Sequence, residues 1–348
     1  MSDAKRRFYP QRLTLARELR GITKTELAER IQKTAGAISH FEGGRSQPEP
    51  TTIGALSLAL NVPQDFFYSP LRAARLGLDD CNFRSLRSAS QRERRQLLAF
   101  GTLLSETEAV LSEHVELPEV NVETRPLGDS ESIEERATEL RRAWGLGNGP
   151  VHEVSRLLEH NGIVVALIPS SCERVDAFSC WQRGQPFVFI VESRPPSRQR
   201  FDASHELAHL HLHVDAIPGD KALETEADRF AAAFLMPRAG LLPHLRGMRL
   251  SLEAFYALKR HWGVSAAALI RRAYDLGVFR EATYRRLYRK LSASGARKLE
   301  PYEIEQEPPT LLAEAARQAQ GARGLLNERV GVRGLDLDAL LGAQMQDG

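Results

Sequence analysis

Apolar positions along the chain change their period twice. In the first seventy residues they recur every three or four places: Leu13, Leu15, Ala16 and Leu19 in QRLTLARELR, then Leu27, Ala28 and Ile31. A short run from Thr34 to Gly43-Gly44 follows, and IGALSLALN lies beyond Pro48 and Pro50. Gly21 stops the first helix and Thr23 can cap the second. This predicts a small all-α bundle over residues 1–70. Residues 71–125 read as helical but weakly patterned, a connector whose end is flanked by Pro118 and Pro126. From about residue 131 two helices are predicted, SIEERATELRRAW and VHEVSRLLEHNG, separated by Gly145, Gly147, Gly149 and Pro150. Three β-rich runs come next: IVVALI (163–168), AFSCW (177–181) and PFVFIVE (186–192). After residue 200 the pattern is helical to about 292, and residues 311–348 predict marginal helices or a flexible tail. No internal repeat is visible.

The length of 348 residues suits about two domains with a connector and a tail. Apolar residues make up 42% and charged residues 26%, which excludes wholesale disorder and low-complexity scaffolds. The formal net charge of +2 advertises no nucleic-acid partner, but it averages unlike parts. Residues 1–70 carry ten Lys+Arg against seven Asp+Glu. Residues 259–298 carry eleven against Asp275 and Glu281, with Tyr274, Tyr284 and Tyr288 interleaved. That second segment reads as a solvated face balanced by Glu300, Glu303, Glu305 and Glu307, or else as a dock for phosphates or an acidic partner. Cys81, Cys172 and Cys180 are odd in number and lack C-x-x-C spacing, so reduced thiols are expected. The start, MSDAKRRFYP, has no apolar signal core, and no apolar run is long enough to span a bilayer. These features predict a cytoplasmic protein with no membrane partner.

The most informative stretch is FDASHELAHLHLH, residues 201–213. On a helix, His205 and His209 lie one turn apart and can bind one metal ion. Glu206 projects about 100° around from His205, so it can reach a water on that metal without being a ligand. This is the pattern of metal-assisted hydrolysis, with Glu206 as general base. Third-ligand candidates are Asp215, Asp220, Glu224, Glu226 and Asp228. On a helix over LETEADRFAAAFLMP, Ala227, Ala231, Phe234 and Leu235 fall within about 80° of Glu224, which puts Glu224 on the apolar face. A carboxylate there needs a compensating partner, and a metal ion is one. Glu224 is the expected third ligand, and Asp228 can orient a histidine ligand through its second nitrogen. Glu226 points about 160° away from Glu224. His213, two turns from His205 and close to its face, could serve as a ligand or support one, while His211 points elsewhere; both read first as structural or surface histidines.

HELAH followed by ETEADRFAAAFLMP resembles the ImmA/IrrE family of metallopeptidases. The resemblance extends back through WGLGNGP and the three strands, and forward through LKRHWGVSAAALIRRAYDLG to EPYE, roughly residues 130–308. It implies a minimal thermolysin-like (zincin) α+β domain with a small sheet over the active helix, placed at residues 126–310. It also implies His205, His209 and Glu224 as metal ligands and Glu206 as general base. Ala208 replaces a common Gly, and Ala296 stands where an aromatic is usual. No oxyanion stabiliser is assigned; His244, Tyr256 and His261 are the candidates.

The stretch LRGITKTELAERIQKTAGAISHFEGGRSQPEPTTIGALSLALNVPQDFF resembles the Xre/Cro-type helix-turn-helix family over about residues 10–68. Such a domain would lay its third helix in the major groove of DNA. Ala35, Gly36 and Ala37 offer little to base edges, so readout would rest on Ser39, His40 and Arg45, with Lys24, Lys33 and Arg45 on phosphates. The two resemblances together imply a multidomain chain. They point to a zinc endopeptidase, with manganese also fitting the ligand set. Its substrate would be a repressor-type protein, cut in a stress or mobile-element response. Homodimers on two half-sites are expected for such a DNA module. The rival is a transcription regulator whose metal domain senses or scaffolds without proteolysis.

Overall fold

Each early helix begins where its free N–H groups find an acceptor or where proline removes one. Helix α1 (Pro10–Leu19) and helix α4 (Pro50–Leu60) start on proline. Helix α2 (Lys24–Arg30) is closed by a reciprocal box between Thr23 and Glu26, and α3 (Ala35–Glu42) by the Thr34 hydroxyl. A 3-10 turn at Gln64–Tyr68 completes this bundle. The computed structural model describes residues 6–72, 74–78, 80–82, 89–128, 131–168, 175–213, 220–295, 300–331, 338, 340 and 341. Cys172, Asp215, Ala296, Arg297 and Lys298 lie outside them.

The sheet is mixed and has the order β1-β3-β4-β2, from Cys81–Asn82 (β1), Val164–Ile168 (β2), Ala177–Gln182 (β3) and Gln185–Val191 (β4). Strand β2 runs parallel to β4, while β3 is antiparallel to both β4 and β1. The β3–β4 hairpin turns on Arg183 and Gly184, both at positive φ, as a two-residue turn requires. Both faces of the sheet are covered. Val164, Ala166, Phe187, Phe189 and Val191 face one core, and Val165, Val188 and Ile190 face another.

The first core corrects the connector reading. Residues Gln91–Ser112 form a 22-residue helix, α5, capped by a Ser90–Glu93 box, and every residue from Leu97 to Leu111 is buried. It is buried on all sides, Thr102, Ser105, Glu106 and Thr107 included, which blurs the one-face periodicity expected of a surface helix. It packs against α1 and against the sheet, where Gly101 leaves room for Phe189 and Leu76; a Cβ there would stand 2.6 Å from Leu76 Cδ1. The stretch read as a tail also contributes. Helices α14 (Leu311–Gln318) and α15 (Ala322–Arg329) bury Leu312, Ala316 and Leu326 in the same core.

The second core holds α6 (Ile133–Ala143), α7 (Val154–His160), α8 (Pro196–Leu212), α9 (Lys221–Leu235), α10 (Arg238–Leu245), α11 (Leu252–Trp262), α12 (Ala266–Asp275) and α13 (Glu281–Ala293). An acidic strap at 300–307 ties these helices together by accepting from their first N–H groups. Glu300 takes Ala266 and Ala267, Glu303 takes Ser197, and Glu307 takes Val154. Lys259, completely buried, bridges Glu300 and Glu303 at 3.2 and 2.7 Å. Arg272 is likewise buried, on Glu134 and the Met236 carbonyl. Part of the basic 259–298 segment is therefore internal structure and not a solvated face.

Candidate metal centre

Helix α8 lies under the sheet and α9 runs beside it, so residues 205, 206 and 209 meet residues 224 and 228. One ligand atom each from His205, His209 and Glu224 falls within 4.8 Å of the others, and this is the one such cluster found among the described residues. His205 Nε2 stands 3.1 Å from His209 Nε2 and 3.3 Å from Glu224 Oε2. Donor atoms around a tetrahedral divalent ion at normal bond lengths stand roughly 3.3 Å apart, so the set fits such an ion. Both ring Nδ1 atoms are turned away from the cluster and anchored. His205 Nδ1 meets Asp228 Oδ1 at 2.9 Å, and His209 Nδ1 meets His213 Nδ1 at 2.9 Å.

Electrostatics sharpen the division of roles. Burial opposes charge on His205, but its bonds to Asp228 and Glu224 outweigh that and raise its pKa to about 10. His209 goes the other way: burial and the neighbouring His205 and His213 hold it well below the imidazole range. Burial pushes the Glu206 carboxyl up to about 7, against the opposing pull of His205 and of a hydrogen bond from Ser179. That bond, Ser179 Oγ–H to Glu206 Oε2, is 2.7 Å long and wholly buried. It fixes the carboxylate of the expected base from the sheet side.

Sequence reading missed Ser179 and the partner of His213. A hydroxyl inside the apolar run AFSCW was the available signal for the first. For the second there was none, because Glu226, expected to point away, meets His213 Nε2 at 3.2 Å. His211 is structural: its Nδ1–H donates to the Glu123 carbonyl and its ring packs near Phe230. His244 and His261 pack against each other and edge-on to Trp262, and Tyr256 packs on Tyr302. A cleft of about 530 Å³ opens beside Asp228, lined by Phe201, Thr225, Arg271, Tyr284 and Tyr288 among others.

In the N-terminal bundle, Lys33, Ser39, His40 and Arg45 are exposed on and around α3. Lys24 is half-buried and engaged within the bundle, 3.3 Å from Glu42 and 3.4 Å from Ser39 Oγ. No helix among the described residues is long and apolar enough to cross a membrane.

Two family models match the chain. Residues 158–274, which hold strands β2, β3 and β4 and all the metal-cluster residues, match the Peptidase M78 model, described as an IrrE N-terminal-like domain. Residues 13–67 match a helix-turn-helix model. No curated protein matches the chain.

Proposed function

For a chain that joins a helix-turn-helix domain to an IrrE N-terminal-like peptidase-family domain, we propose the activity of a metal-dependent endopeptidase linked to a DNA-binding module. The observation that carries this reading is the convergence of His205, His209 and Glu224 beside a buried carboxylate, Glu206, that is not part of the cluster. His205, His209 and Glu224 would hold the ion, which when bound supplies Lewis acidity to a carbonyl and to a water. Zn2+ is the proposed resident metal for two imidazoles and one carboxylate, with Mn2+ an acceptable replacement. Glu206 then acts as general base, taking the proton of the attacking water and returning it to the leaving amine. Ser179 holds that carboxylate in place. The proposed substrate is a repressor-type regulatory protein, cut in the cytoplasm during a stress or mobile-element response. The exposed Lys33, Ser39, His40 and Arg45 support DNA contact through residues 1–70, with a homodimer on two half-sites.

Metal analysis and a cleavage assay on the purified protein test this. The parent should carry one Zn2+ per chain and His209→Ala should lose it. Glu206→Gln should keep the metal and the fold yet cut a repressor substrate at least about a thousandfold more slowly, since it lacks its general base. A parent without stoichiometric metal, or a Gln variant as active as the parent, would overturn the reading. A parent that binds metal yet cuts no repressor substrate would instead favour a regulator that senses metal without proteolysis.

A further inference from the structure

We propose that His213 and Glu226 form a hydrogen-bonded relay that orients His209 and strengthens its Nε2 as a metal donor. This positioning role rests on the metal-centre reading above. His209 is buried and its Nε2 faces the cluster, 3.1 Å from His205 Nε2 and 3.8 Å from Glu224 Oε1. The proton of a neutral His209 must then sit on Nδ1, and a buried N–H needs an acceptor. The atom that receives it, 2.9 Å away, is the Nδ1 of another histidine, His213. Accepting there leaves the His213 proton on Nε2, which lies 3.2 Å from Glu226 Oε2. One arrangement of protons satisfies all four atoms. The reverse arrangement would put a proton on His209 Nε2 and close it as a ligand.

The two proposed imidazole ligands are thus anchored differently. His205 leans directly on a carboxylate, Asp228, whereas His209 reaches its carboxylate through a second imidazole. Both carboxylates and the third ligand come from a single helix, α9, at positions 224, 226 and 228. The His213 side chain is only 3% exposed, so water does not replace either of its bonds. A carboxylate at the end of such a chain draws the Nδ1 proton outward and makes the opposite ring nitrogen a better donor.

The test is Zn2+ affinity of the full chain, measured by competition with a chromophoric chelator, with circular dichroism to report the fold. His213→Phe keeps the ring and removes both bonds; Zn2+ should bind about 10–100-fold more weakly. His213→Asn places an amide oxygen near the position of Nδ1 and should recover most of that loss. Glu226→Gln keeps an acceptor for His213 but not the charge, and should fall between parent and Phe. Equal affinity in parent and His213→Phe overturns the relay, as does an equal loss in Phe and Asn, which would mean packing alone. Should the variants fail to fold, long-range 1H–15N spectra of the Zn2+-loaded parent decide it. His213 is expected as the Nε2–H tautomer, and an Nδ1–H tautomer overturns the proposal. A parent that binds no Zn2+ would instead defeat the metal-centre reading.

Discussion

A single hydroxyl illustrates how much of the site is decided by individual residues. Ser179 donates its only proton to Glu206, a 2.7 Å bond that holds that carboxylate from the sheet side. A hydrogen bond to a charged group contributes about 1.5–3 kcal/mol, so Ser179→Ala should slow peptide cleavage by roughly 10–100-fold. Metal content should stay at the parent level, because Ser179 touches no proposed ligand. Unchanged cleavage in Ser179→Ala, or loss of metal along with activity, would show that the serine does not act through Glu206. The spacing of His205, Glu206 and His209 was legible in the sequence because a helix turn fixes it. Glu224 was legible because a carboxylate on an apolar face demands a partner. Ser179 and Glu226 were not, since sequence separations of 27 and 13 from their partners are closed only by tertiary packing.

Among the elements, the helix N-termini show a repeated device: a glutamate from a distant part of the chain accepts from the first N–H groups, in place of a local cap or, at α12, beside Ser265. Glu159, at the end of α7, accepts from Thr310 and Leu311 at the start of α14, at 3.0 Å. Its burial outweighs those donors and raises its pKa from 4.5 to about 7. The folded state therefore holds a proton on Glu159 more tightly than the unfolded chain does. Its contribution is fully present below about 4.5 and is lost as pH rises through about 7. Urea unfolding at pH 5 and pH 8 should show the parent losing stability across that interval, by on the order of 3 kcal/mol for this group. Glu159→Gln should flatten the slope without abolishing it, because Glu206 titrates in the same window. A slope identical in both proteins would remove Glu159 from the account. None of these caps has a sequence signature, since the partner lies at least 33 residues away and is brought in only by tertiary packing. Local caps such as Thr23–Glu26 were foreshadowed by spacing alone. The helical character of residues 71–125 was legible, but not the burial of α5, because its buried stretch mixes apolar residues with Thr102, Ser105, Glu106 and Thr107.

At the scale of the molecule, the sheet divides two cores, and the unbroken apolar runs in β2 and β4 are what burial on both faces requires. One core joins the DNA-type bundle, α5 and the C-terminal helices to the very strands that carry Ser179. Its polar pin is Arg12 of α1, wholly buried, with Glu106 of α5 at 2.6 and 3.1 Å. The same guanidinium donates to the carbonyls of Ser69, Pro70 and Val330. The residue before Glu106, Ser105, donates to Gln182 at the end of β3. Bundle and peptidase-type domain are therefore parts of one packed unit, and they should unfold together. Glu106→Ala strands a buried cation, which costs about 3–5 kcal/mol. All three tryptophans, at 144, 181 and 262, lie outside the bundle, so their fluorescence reports the peptidase-type domain alone, whereas far-ultraviolet circular dichroism reports every helix. In the parent both signals should trace one transition, and in Glu106→Ala both should move to lower denaturant by the same amount. If the dichroism shifts while the tryptophan transition stays in place, the two domains fold independently. In that case the contacts from Arg12 to the strand of Ser179 could carry no influence of DNA on the metal centre.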